Sequence, residues 1–184
     1  MSHLVVRPLV AGEESLFESM PDPLPQVGKV GYADGLATGG YRPDRTWVAI
    51  DRGRLVGRAA WVLPPGAVGR PWLERFDLLA EPTFGARLLD AAHEALGGPM
   101  PYYAAVPAHW RDDPATVAVM AAPLAAARLA GLVETGERLR YSWAGGELPP
   151  PAKGIRPAAG FDEVVARLAE PDVLTGRETA LAVA

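Results

Sequence analysis

Hydrophobic and polar positions change their period several times along the chain, and each change marks an element. In residues 46–61, TWVAIDRGRLVGRAAW, two apolar runs flank Asp51-Arg52-Gly53-Arg54; one is Trp47-Val48-Ala49-Ile50, the other extends from Leu55-Val56-Gly57 to Trp61. Apolar runs joined by an Asp/Gly turn predict an antiparallel hairpin, and Val, Ile and Trp suit a pleated surface. Gly57 inside the second strand predicts a bulge, a close packing contact, or a place where another backbone or a ligand approaches. Upstream, residues 3–9 read as a first strand ended by Pro8, which cannot donate to a ladder. Residues 12–20 read as a short helix with Leu16, Phe17 and Met20 on one side and Glu13 and Glu14 near its N-terminus. Pro21, Pro23 and Pro25 stop it. Residues 21–45, with Gly39-Gly40-Tyr41 and Pro43, form a long loop with room for a second short helix between 27 and 37. Loops of that length commonly serve as lids or binding loops.

Downstream of the hairpin, 72–79 (WLERFDLL) reads as a strand with imperfect alternation. Phe84, Leu88, Ala91, Ala92 and Ala95 or Leu96 recur at helical spacing, which predicts a helix over 84–96 ended by Gly97-Gly98-Pro99. A central strand is expected at 100–106, then a polar and aromatic turn at 107–114. A second long helix follows at 115–129, kinked or restarted at Pro123 and capped by Gly131. Residues 132–134 and 139–143 are expected to pair as terminal strands. Strands alternating with helices of this length predict an α/β fold, a mixed central sheet flanked by helices.

After Trp143 the composition shifts to Gly145-Gly146-Glu147-Leu148-Pro149-Pro150-Pro151, which reads as a stiff linker over 144–154. Ile155-Arg156-Pro157-Ala158-Ala159-Gly160, followed by the amphipathic stretch 161–168, echoes Val6-Arg7-Pro8-Leu9-Val10-Ala11-Gly12. The expected organisation is therefore a domain over 1–143, the linker, and a partial repeat or C-terminal extension over 155–184.

Composition narrows the function classes. The formal net charge of −4 over 184 residues argues against a broad nucleic-acid footprint. The absence of cysteine removes disulfides, thiolate metal ligands and a cysteine nucleophile. No apolar run of about 18 residues occurs, so a soluble, cytoplasmic protein without a membrane partner is the expectation. His3, His93 and His109 are far apart and have no metal-ligand spacing, so no metal site is expected; His93-Glu94 lacks the second histidine of a zinc-protease helix. Ser15, Ser19 and Ser142 lack the context of a nucleophile elbow. His109-Trp110 follows the end of an expected strand, where α/β proteins place ligand-contacting groups; a structural turn is the alternative.

The order of elements resembles the GCN5-related N-acetyltransferase family. Leu4-Val5-Val6-Arg7-Pro8 is similar to its opening strand, and Trp47-Val48-Ala49-Ile50 with Leu55-Val56-Gly57 to its central hairpin. Gly85-Ala86-Arg87-Leu88-Leu89 is similar to the end of its diphosphate motif, and Ala130-Gly131-Leu132-Val133 to the segment after its last helix. The resemblance covers residues 4–143. It implies an acyl-CoA N-acyltransferase-like fold, acetyl-CoA as cofactor, and a small-molecule or protein amine as acceptor; a homodimer is compatible with it. It further implies that Leu79, Gly85, Ala86 and Arg87 meet the cofactor and that Glu74, on the strand before the diphosphate loop, is the general base. Tyr41, His109 and Trp110 would line the substrate entrance. Two departures stand out. Leu78-Leu79-Ala80-Glu81-Pro82-Thr83-Phe84-Gly85 keeps only the final glycine of the diphosphate signature, with a carboxylate and a proline where backbone donors are wanted. Ala126 stands where the family often has a tyrosine acid. Two functions follow: an N-acyltransferase that moves an acetyl group from acetyl-CoA to an amine, or a non-catalytic domain of the same fold with a structural, oligomerisation or ligand-binding role.

Overall fold

The computed structural model of the chain describes residues 3–137. Strands β1 (Leu4–Pro8), β2 (Thr46–Asp51), β3 (Arg54–Val62) and β4 (Trp72–Leu78) form one antiparallel sheet in the order β1-β2-β3-β4. Helices α1 (Glu14–Glu18), α2 (Tyr32–Ala37), α3 (Pro82–Ala95) and α4 (Pro114–Leu129) flank it. The β2–β3 hairpin turns on Arg52 and Gly53, whose φ angles of 49° and 77° are both positive. Positive φ at both central residues is the mark of a type I′ turn, whose twist matches that of the strands.

Alternation along β2 and β3 divides the apolar side chains between two cores. Trp47, Ala49, Ala59 and Trp61 face α3 and α4, where Leu88, Leu89, Ala92 and Ala126 meet them. Val48, Ala60 and Val62 face α1 and α2, against Phe17, Tyr32 and Tyr41. The hydroxyl of Tyr32 donates to Thr46 Oγ1 at 3.0 Å, so this buried phenol is satisfied.

Two bulges set the register. Ala49 pairs with Gly57 and Ile50 with Leu55, leaving Val56 extra. A Cβ on Gly57 would lie 3.2 Å from Leu78 Cδ1 and 3.3 Å from Ala49 Cβ, so the missing side chain serves close packing beside the bulge. Ala60 pairs with Arg75 and Trp61 with Leu73, leaving Glu74 extra. That insertion explains the imperfect alternation of β4. Leu73, Phe76 and Leu78 share the face of α3 and α4, whereas Trp72, Arg75 and Asp77 fall on the other.

The strand expected at 100–106 is corrected to a single parallel bridge, Leu73 with Tyr102. The Leu73 N–H donates to the Pro101 carbonyl at 2.7 Å and the Tyr103 N–H to the Leu73 carbonyl at 2.9 Å. Pro101 and Pro107 bound the segment, and neither can donate to a ladder. The sheet is therefore antiparallel, not mixed. Residues 132–134 lie outside any strand. Their expected partner at 139–143, the linker at 144–154 and the repeat at 155–184 lie outside the described residues.

Helix α4 has well-made ends. The Asp113 carboxylate accepts from the N–H groups of Ala115 and Thr116, each at 3.2 Å, and from Thr116 Oγ1 at 2.6 Å. At the other end Gly131, at φ 81°, donates to the Arg128 carbonyl and Leu132 to that of Ala127, a Schellman arrangement.

Gly85 lets α3, α4 and β4 meet. A Cβ there would lie 2.7 Å from both Ala126 Cβ and Leu78 Cδ2 and 3.0 Å from Phe76 Cζ. Alanine in place of a helical glycine ordinarily gains about 1 kcal/mol. Here the clash is expected to outweigh that gain, because overpacking costs about 1–3 kcal/mol. G85A should therefore lower the urea midpoint; a raised midpoint would show that α3 can shift freely.

His93, on α3, is 5% exposed, with its ring edge-on to Trp61 at 5.7 Å and Nε2 unpartnered. Burial, more than the smaller opposing influences of Asp90 and Arg70, holds its pKa below the ordinary histidine value. Between the folded and unfolded values the unfolded chain binds the extra proton, so stability is full above about pH 6.5 and falls on acidification below it. Chemical unfolding at pH 7.5 and 5.5 should show this loss in the native chain and a smaller one in His93→Leu. Equal losses would place the pH dependence elsewhere.

Candidate functional site

The site begins where β4 loses its outer neighbour. Beyond the Leu73–Tyr102 bridge no strand pairs with that edge among the described residues. The gap is a cleft of about 220 Å³. Phe76 and Leu78 of β4 border one side, Tyr102 and Ala104 another, and Met120 and Pro123 of α4 a third. Pro123 has no N–H to give the Val119 carbonyl one turn earlier, and both residues border the cleft. Met20 and Leu24, from the proline-rich loop after α1, border it from the opposite face of the sheet.

Three charged side chains reach this lining: Lys29, Glu74 and Asp77. The bulge gives Glu74 its position, and bulges often re-aim side chains beside functional sites. The Tyr41 hydroxyl donates to Glu74 Oε2 at 2.9 Å. Burial first, then the Glu74 charge, raises the Tyr41 pKa, so the phenol remains a donor. Tyr41 itself is held against α2: a Cβ on Gly35 would fall within its ring.

Asp77 belongs to a buried network. Arg58 Nε donates to Asp77 Oδ2 at 2.7 Å, and Lys29 Nζ lies 3.4 Å from Asp77 Oδ1 and 3.7 Å from Asp22 Oδ1. Arg58 Nη1 also donates to the carbonyls of Phe17 and Met20, at 2.7 and 2.6 Å. Arg75 Nη2 donates to the Val30 carbonyl at 3.3 Å and stands 3.7 Å from Asp22 Oδ2. These contacts tie the loop after α1 to the sheet and so build one side of the cleft. Burial, with a smaller influence of Asp77, also raises the pKa of Tyr102; its hydroxyl stays protonated.

Comparison with known proteins finds no matching family model, no matching curated protein and no matching solved structure. The geometry therefore has to carry the functional reading.

Of the residues singled out in the sequence, Glu74 and Leu79 border the cleft. The Leu79 N–H is taken by the Val56 carbonyl at 2.8 Å, and its side chain is exposed. Tyr41 is 2% exposed and stacks on Tyr32, so it meets the site only through Glu74. His109 is exposed, with φ 57°. Trp110 opens the 3₁₀ turn Trp110–Asp112 with the Arg111 guanidinium 4.6 Å over its ring. Neither His109 nor Trp110 lines the cleft. Gly85 and Ala86 are buried in α3, and Arg87 is exposed on it.

The N-terminus of α3 is poor in donors. Glu81 is its N-cap, Pro82 has no N–H, and the Phe84 N–H is spent on the Glu81 carbonyl at 2.9 Å. Among the described residues no group of three or more His, Cys, Asp or Glu could hold a metal ion, and no helix is long and apolar enough to cross a membrane.

Sequence reasoning missed the Arg58–Asp77–Lys29 network and Tyr102. Their signal was present: Arg58 and Asp77 each interrupt an apolar strand run, a pattern that buried, paired charges produce.

Proposed function

We propose that the domain is an N-acyltransferase, moving an acetyl group from acetyl-CoA to an amine. One observation carries the reading: the outer edge of β4, unpaired beyond Leu73 among the described residues, opens onto a largely apolar cleft whose two carboxylates differ, Asp77 being held by Arg58 and Lys29 while Glu74 accepts from the Tyr41 hydroxyl behind it. An open strand edge offers backbone groups to an extended, amide-bearing ligand, which suits the acyl and pantetheine part of the cofactor. When bound, acetyl-CoA would supply an activated acyl carbon. Glu74 is placed to accept the acceptor amine's proton directly or through one water. Tyr41 fixes the orientation of that carboxylate, and the Tyr102 hydroxyl can donate a hydrogen bond within the cleft. The α3 terminus is a poor fit for the cofactor's diphosphate, since Pro82 and Phe84 have no free N–H there, which leaves the first turn to Thr83, and Glu81 adds negative charge.

That misfit favours a second reading, a non-catalytic domain of related architecture that binds a small ligand. Ala126 points the same way: it is fully buried against Gly85, leaving no tyrosine at that place to protonate a leaving thiolate. Calorimetric titration of the full chain with acetyl-CoA, paired with an assay of acetyl transfer to a panel of amines, separates the two. Micromolar binding with turnover is expected of the enzyme. Absence of heat at millimolar ligand removes the acyltransferase reading.

A further inference from the structure

We propose that the chain recognises its thioester donor through the acyl-pantetheine arm alone, with the nucleotide diphosphate left in solvent, an inference that rests on the acyltransferase reading above. Apart from Lys29, Glu74 and Asp77, the described residues that border the cleft are largely apolar, among them Phe76, Leu78 and Met120, beside the open edge of β4. These complement amides and methylenes, and none is an anion site. Among the described residues that border the cleft the cation is Lys29, already spent between Asp22 and Asp77, its side chain only 10% exposed. The glycine expected to cradle phosphate does something else. Gly85 makes room for Leu78 and Ala126, each 2.7 Å from where a Cβ would stand. The Glu81 carboxylate, with no hydrogen bond to its own helix, adds repulsion at the terminus where a diphosphate would sit. Arg87 is exposed a turn further along.

The donor class that follows is any S-acetyl-pantetheine thioester, whether it ends in a nucleotide or not. The test is calorimetry on the full chain with acetyl-CoA and, separately, with S-acetylpantetheine, which lacks the nucleotide. Dissociation constants within about tenfold of each other are expected, and R87A should leave both unchanged. Acetyl-CoA binding more than about tenfold tighter, or an R87A loss confined to acetyl-CoA, would overturn the inference while leaving the acyltransferase reading in place. Absence of binding by both compounds would overturn the reading and the inference together.

Discussion

Arg58→Ala is expected to lower the unfolding free energy of the domain by about 3–5 kcal/mol, the usual cost of removing one partner from a buried, hydrogen-bonded ion pair. The guanidinium is 2% exposed and lies 5.1 Å over the Phe17 ring. It donates to Asp77 and to the carbonyls of Phe17, Met20 and Pro21. Alanine would strand the Asp77 carboxylate with only Lys29, at 3.4 Å, and would leave two buried carbonyls without their donor. Domains of this size hold about 5–15 kcal/mol in total, so the variant should melt early or fail to accumulate. Arg58→Lys keeps the charge but lacks the fork that reaches several acceptors, and should fall between the two. The double variant Arg58→Met with Asp77→Leu should be less harmed than Arg58→Ala, because it removes the stranded charge as well. Urea unfolding of the set measures this. A loss for Arg58→Ala under about 1 kcal/mol would mean that water reaches and screens the network.

On the acyltransferase proposal, Glu74→Gln is expected to reduce acetyl transfer by about a hundredfold or more, the scale on which a positioned general base contributes, with donor affinity unchanged. Glutamine keeps the volume of the side chain and an oxygen that can accept from Tyr41, so stability should barely move. Tyr41→Phe removes only the 2.9 Å hydrogen bond that orients the carboxylate. Its effect on turnover should be about fivefold, the worth of one modest hydrogen bond. The ordering of the two variants is the informative result. A Glu74→Gln variant with full turnover at every pH would show that the amine loses its proton to bulk water, and would make Glu74 a residue that only terminates the Tyr41 hydrogen bond.

Much of the architecture was legible in the chain because it is local. The hairpin follows from Asp51-Arg52-Gly53-Arg54 between two apolar runs, and Arg52 and Gly53 adopt the positive φ that such a turn requires. The extents of α3 and α4 follow from helical spacing and from end signals at Gly97 and Gly131, each of which acts within one turn of chain. Even the short α2 at Tyr32–Ala37 lay inside the window left for it between 27 and 37.

What only the tertiary structure decided is pairing and depth. Residues 100–106 carry strand-forming side chains, but a strand also needs a partner edge. Here the chain leaves β4 after a single bridge, and the cleft is the space between them. Register was equally hidden. One inserted residue at Glu74 reverses the faces of everything before it relative to everything after, and nothing in WLERFDLL states which residue is extra until β3 lies beside it. The same insertion carries Arg75 and Asp77 to the face of α1 and α2, among Arg58, Lys29 and Asp22. Gly85 shows the limit from the other direction. Its place before a long helix suggested a phosphate cradle, yet the packing of Ala126 and Leu78, residues far from it in sequence or across a layer boundary, gave the missing side chain its use. Local physics determined the helices and the hairpin; contacts between distant segments determined whether 100–106 pairs as a strand, where the chain opens, which charges are buried, and which carboxylates border the cleft.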